Sequence, residues 1–165
     1  MKYRKMARTT CERYCTQNHP KTSVIISIKT SWDKECPKIY CDKKNNVQDI
    51  LFLSFDDTED YRYGMQESDG VKVAYFVDKY LGMVDVIIIH CDAGVSRSAG
   101  VLYAILKYYE GVDKTNKVHN ELAYNMTIKA LEQFVTGTEY TICYEIANNG
   151  NKRLDFKQLL ANQSP

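Results

Sequence analysis

Little in this sequence breaks it up. Among 165 residues there are three prolines and eight glycines, with no repeat, low-complexity tract or linker, so a single domain over residues 1–165 is expected. No apolar run approaches the ~20 residues needed to span a bilayer. The opening Met1-Lys2-Tyr3-Arg4-Lys5-Met6-Ala7-Arg8 is basic and lacks the apolar core of a secretion signal. The expectation is a soluble, cytoplasmic domain with no membrane partner. Composition lacks extremes too: 44% hydrophobic and 26% charged residues exclude a disordered chain and a coiled coil. At this size folding hides about 70% of the surface of the unfolded chain, enough for an ordinary core.

Six cysteines are present, Cys11, Cys15, Cys36, Cys41, Cys91 and Cys143. In a cytosolic chain they read as free thiols before they read as a disulfide framework. Cys11 and Cys15, and Cys36 and Cys41, lack the tight spacing of a zinc knuckle, so no metal is expected. The net charge of +1 hides an uneven distribution. Residues 1–44 hold eleven Lys and Arg against four acids, and residues 45–92 hold ten acids against three bases. A basic segment of this kind can touch nucleic acid, but no nucleic-acid module follows it. Solvated surface is the better reading, and no nucleic acid is expected as partner.

Apolar patterning then sets the order of elements. Ser23-Val24-Ile25-Ile26-Ser27-Ile28 and Asp49-Ile50-Leu51-Phe52-Leu53-Ser54-Phe55 read as strands, separated by a loop that holds Pro37, Asn45 and Asn46. A helix is predicted from about Ser68 as N-cap to Gly82, with Val71, Ala74, Tyr75, Val77 and Leu81 at helical spacing. Val84-Asp85-Val86-Ile87-Ile88-Ile89-His90 is the continuous β-branched run of a strand buried on both faces. The run Val101 to Tyr109 is helical, and segments near 113–124, 127–136 and 139–162 carry helical periodicity, although Thr138 to Cys143 also suits a strand. Strand, strand, helix, buried strand and helix predict an α/β fold. Helices are expected to pack on its sheet, with ligands beyond the carboxyl ends of the strands.

At that edge stands His90-Cys91-Asp92-Ala93-Gly94-Val95-Ser96-Arg97-Ser98. The backbone N–H groups of a short loop and of the helix that follows can converge on one anion. Gly94, with the small Ala93 and Ser96, lets the main chain curl around it. Arg97 offers a planar fork for two phosphate oxygens, which a lysine does not. Cys91 lies at the floor of this positive bowl, an environment that favours thiolate over thiol. A thiolate beneath a bound phosphate is a nucleophile for phosphoryl transfer. A cysteine alone would read as a small buried hydrophobe. The buried strand, the five-residue gap, the Arg-Ser pair and the helix together outweigh that reading.

The segment resembles the His-Cys-x5-Arg-Ser/Thr signature of cysteine-dependent protein tyrosine phosphatases. Its Ala-Gly-x-Ser-Arg-Ser form is most similar to small dual-specificity phosphatases of the compact bacterial and phage type. The resemblance is strong from about Asp49 to Tyr109. It implies an α/β phosphatase-like fold with a mostly parallel, four- to five-stranded central sheet flanked by helices and the phosphate-binding loop between a buried strand and a helix. It also implies Cys91 as nucleophile, Arg97 as phosphate clamp, and Asp92, Ala93, Gly94, Val95 and Ser96 lining the phosphate site. Ser98 would stabilise the thiolate, and His90 would tune Cys91 from behind without acting as a base. The family keeps an Asp on a separate loop to protonate the leaving group. Asp57, 34 residues before Cys91 and followed by Thr58, fits that position best, with Asp56 and Asp60 as alternatives.

The implied reaction is hydrolysis of phosphotyrosine, and by extension phosphoserine and phosphothreonine, in a phosphorylated protein or peptide. It proceeds through a phosphocysteine and needs no metal or cofactor. The loop lacks lysines, which argues against phosphoinositides and RNA triphosphate ends. Two rivals stand beside this reading: a silent phosphopeptide-binding module, and a thiol-redox role that would require a resolving cysteine near Cys91. Asp92 departs from the expected chemistry, because a carboxylate next to the nucleophile opposes the thiolate unless it points outward. Glu59 and Asp60 read as exposed turn charges, and Tyr103, Tyr108 and Tyr109 as core.

Overall fold

The computed structural model describes residues 1–134. Eight elements follow in order: β1 (Lys2–Ala7), α1 (Arg8–Cys15), β2 (Ser23–Lys29), β3 (Val47–Ser54), α2 (Glu67–Tyr80), β4 (Val86–Cys91), α3 (Arg97–Glu110) and α4 (Glu121–Phe134). The four strands form one all-parallel sheet in the order β1-β4-β2-β3. The fold is therefore the expected α/β type, with four strands among the described residues. No helix among those residues is long and apolar enough to cross a membrane.

Burial follows position in the sheet. All of β4 is buried and so is β2 as far as Ile28, because each pairs on both sides and is covered on both faces. Burying side chains such as Ile87, Ile88 and Ile89 contributes about 1.5–3 kcal/mol each. One face carries α2, α3 and α4 over a large core that includes Val24, Ile26, Phe55, Ile87, Ile89 and Ile105. The other holds a smaller cluster of Cys11, Cys15, Ile25, Ile39, Val47, Val86 and Ile88, under α1 and the 30–46 connection. Tyr103 is buried and Tyr108 and Tyr109 pack partly buried against the large core, as expected of core tyrosines.

Several elements differ from the sequence reading. The basic N-terminal segment is a strand and a short helix: β1 runs beside β4 from Lys2 opposite Val86 to Ala7 opposite Cys91. Its bases suit an edge strand, whose outer rim faces water. Helix α2 begins at Glu67 after Gln66 and not after Ser68, and the Asp69 carboxylate accepts a bond from the Gln66 N–H at 3.2 Å. The periodicity near 113–124 and 127–136 resolves into one helix, α4, with residues 111–120 outside any helix. Asn120 Oδ1 accepts from the Ala123 N–H at 2.7 Å and sets where α4 starts. The helix or strand expected beyond 138, with Cys143, lies outside the described residues.

Candidate active site

The chain leaves β4 at Cys91 and enters α3 at Arg97, so the loop between them crowns the carboxyl edge of the two central strands. Cys91 is 2% exposed and its Sγ lies 3.2 Å from Ser98 Oγ in the first turn of α3. The thiol donates to that oxygen; once ionised, the sulfur accepts from the same hydroxyl. Gly94 has φ +70°, a left-handed conformation that favours glycine. A Cβ there would sit 2.5 Å from Ala7 N and from the Met6 carbonyl carbon, so the loop rests directly on the backbone of β1.

Arg97 is only 4% exposed. Its Nη1 donates to the Phe55 carbonyl at 2.9 Å, its Nη2 donates to Asp92 Oδ2, and its buried Nε has no partner among the described residues. A buried guanidinium N–H without a partner is costly, and here it belongs to the side chain assigned to grip an anion. Asp92 also accepts from Thr30 Oγ1 at 2.8 Å. Burial works against its charge, but Thr30 and Arg97 together hold the carboxyl below the usual range. The departure at Asp92 thus has a place in the structure: the carboxylate is turned onto Thr30 and Arg97.

His90 is fully buried and its Nε2 lies 2.8 Å from Ser27 Oγ on β2. Burial pushes its pKa down to about 4. The ring is neutral near pH 7, with its bond running across the sheet to Ser27.

The three candidate acids separate cleanly. Asp57 is exposed and accepts through Oδ1 from Ser96 Oγ at 2.8 Å and from Asn120 Nδ2 at 3.0 Å. It is therefore tied directly to the Cys91 loop. Asp56 turns instead to Ser31, whose hydroxyl (2.7 Å) and N–H (2.9 Å) hold its carboxyl below the usual range. Asp60 is paired with Arg62, which holds it down to about 2.

Sequence reasoning passed over three groups that shape this site. Asn120, 3% exposed, caps α4, donates to Asp57, and donates its N–H to the Ser96 carbonyl at 3.2 Å. Its one legible signal is an Asn directly before a helical Glu-Leu-Ala run. Glu59 is no idle turn charge: its two oxygens accept from the N–H groups of Glu121 (3.0 Å) and Leu122 (2.6 Å), clasping the start of α4. Lys5 reaches the loop from β1, donating through Nζ to the Gly94 carbonyl at 2.9 Å.

No family model matches the chain, and no curated protein does. Among solved structures it is similar to the crystal structure of Tk-PTP in the active form, with TM-score 0.48 and 15% identity over 80% of this chain and 91% of that one. It is similar also to the crystal structure of PTPMT1, with TM-score 0.46 and 16% identity over 90% and 96% of the two chains.

Proposed function

We propose that this chain is a cysteine-dependent phosphatase acting on phosphorylated protein or peptide. The Cys91 thiolate attacks phosphorus in line and the bond to the leaving oxygen breaks. The loop amides and Arg97 hold the three equatorial oxygens. Asp57 gives its proton to the departing phenolate or alkoxide. Water then attacks the phosphocysteine and loses a proton to the ionised Asp57. Inorganic phosphate leaves and the Cys91 thiolate is restored. Ser98 donates to the sulfur when it carries charge, and neutral His90 supports the loop from beneath.

One observation carries this reading: a buried sulfur at a strand end beside a hydroxyl, one loop away from a buried guanidinium whose Nε has no partner among the described residues. Substrate class is supported by exposed Trp32, Tyr61 and Val95, which offer apolar surface on the loops after β2, β3 and β4. No loop side chain from Asp92 to Ser96 is basic. Phosphotyrosine peptides are the first substrates to test, followed by phosphoserine and phosphothreonine peptides, a phosphoinositide and a triphosphorylated RNA end.

The direct assay is hydrolysis of para-nitrophenyl phosphate in the presence of EDTA. Steady turnover abolished by Cys91→Ser is the expected result. Phosphopeptide binding with no turnover in the wild-type chain would replace the enzyme by a binding module.

A further inference from the structure

We infer that β1 is part of the phosphate-binding machinery, with Lys5 as the positioning residue that aims the amides of the Cys91 loop; the inference rests on the phosphatase reading of that loop. The chain places two anchors on two alternate carbonyls. The Arg8 N–H donates to the Asp92 carbonyl at 3.1 Å, extending the β1–β4 ladder by one residue. The Lys5 ammonium donates to the Gly94 carbonyl at 2.9 Å. In a trans peptide the C=O of one residue and the N–H of the next point in opposite directions within one plane. Drawing the Asp92 and Gly94 carbonyls toward β1 therefore turns the Ala93 and Val95 N–H groups away from it, the direction an anion cradle on the far side of the loop requires. The missing Cβ of Gly94 lets that plane lie flat on Met6 and Ala7.

An amide aimed beforehand at the anion is worth more than one that must reorient when the anion arrives. The Lys5 bond is charge-assisted, the stronger kind. Its ammonium also adds positive charge behind the cradle while being spent on a carbonyl. A lysine can thus assist phosphate binding here without appearing in the signature or touching substrate.

The test compares Lys5→Met, Lys5→Gln and Lys5→Arg with the wild-type protein. The readouts are inhibition by orthovanadate, a tetrahedral phosphate mimic that becomes trigonal-bipyramidal when a thiolate adds to it, kcat and KM on para-nitrophenyl phosphate, and Tm. Lys5→Met is expected to weaken vanadate inhibition and lower kcat/KM by about tenfold, the factor that loss of one hydrogen bond to a charged group commonly produces. Lys5→Gln should fall between, and Lys5→Arg should restore most of the loss, with Tm close to wild type throughout. Should Lys5→Met fail to fold, the ratio of Lys5→Gln to Lys5→Arg provides the same comparison. An active wild type beside Lys5 variants within twofold in vanadate inhibition and kcat/KM would overturn the role of Lys5. A wild type that neither turns over the ester nor binds vanadate would instead overturn the phosphatase reading itself.

Discussion

Two loops meet over the carboxyl edge of the sheet, and they are held by opposite means. The loop after β4 is fixed by burial at its ends and middle: the flanking Cys91, Arg97 and Ser98 are all under 5% exposed and Gly94 lies against the backbone of β1, while Asp92, Ala93 and Val95 are exposed. The loop after β3 leaves Asp57 exposed and holds it with two hydrogen bonds, while Glu59 clasps the start of α4. The difference matches the chemistry each side would perform. A sulfur and a guanidinium that must meet phosphate without rearranging gain from rigid packing and a low dielectric. A carboxyl that must take up and release a proton in each cycle gains from contact with water. The loop after β4 is set by its packed ends and by bonds from β1, and the loop after β3 by polar bonds to its neighbours.

The largest effect should come from the buried side. Cys91→Ser exchanges a strong nucleophile for a weak one at nearly constant volume, so turnover of para-nitrophenyl phosphate should fall by about 10⁴-fold or more with Tm little changed. Retention of a tenth of the activity would remove Cys91 from the chemistry. His90 tests the packing of the same strand. Its folded pKa of about 4 lies below the ordinary 6.5, so between those values the unfolded chain binds a proton that the folded chain refuses. Stability should therefore fall as pH drops through 6.5, and the loss should end near pH 4 at a cost of about 3 kcal/mol. Denaturant titrations from pH 8 to pH 5 measure it. A His90→Asn chain should be flat between 6.5 and 5, where carboxyl groups contribute little; the same slope in that variant would place the titration elsewhere.

The buried side was the legible one. A β-branched run that ends in His-Cys, a five-residue gap and Arg-Ser specify strand, loop and helix from neighbouring residues alone. Strands β2 and β3 were legible for the same reason. By contrast, β1 has no apolar run to mark it: Lys2-Tyr3-Arg4-Lys5-Met6-Ala7 becomes a strand because β4, more than eighty residues later, offers it an edge. The Lys5–Gly94, Asn120–Asp57 and Glu59–Leu122 bonds likewise join residues 89, 63 and 63 positions apart. Loop position ranked Asp57 above Asp56 and Asp60. What separates the three in space is Ser31 and Arg62 engaging the other two, which no local pattern records.

On the exposed side, Asp57→Asn should lower kcat/KM for a poor leaving group by about 10²-fold and flatten the alkaline limb of its pH profile. The loss should be smaller with para-nitrophenyl phosphate, whose phenolate leaves without help. Asp56→Asn and Asp60→Asn should keep the limb, since those carboxylates face Ser31 and Arg62. If Asp60→Asn flattens it and Asp57→Asn does not, the acid is Asp60 and the two loops do not cooperate as described.

The smallest effect, and the one most specific to the contrast between the loops, belongs to Asn120. It is the buried residue through which the exposed loop is registered against the packed one, bonding to Asp57, to the Ser96 carbonyl and to the Ala123 N–H at once. Asn120→Ala removes a helix cap, so the fold should lose about 1 kcal/mol. It also frees Asp57 from one of its two anchors, so kcat on a poor leaving group should drop several-fold. KM should hold, because the bond from the residue 120 N–H to the Ser96 carbonyl belongs to the backbone and survives the substitution. A rise in KM with kcat unchanged would mean that α4 shapes the phosphate cradle itself, and the division between a packed loop and a tethered one would not stand.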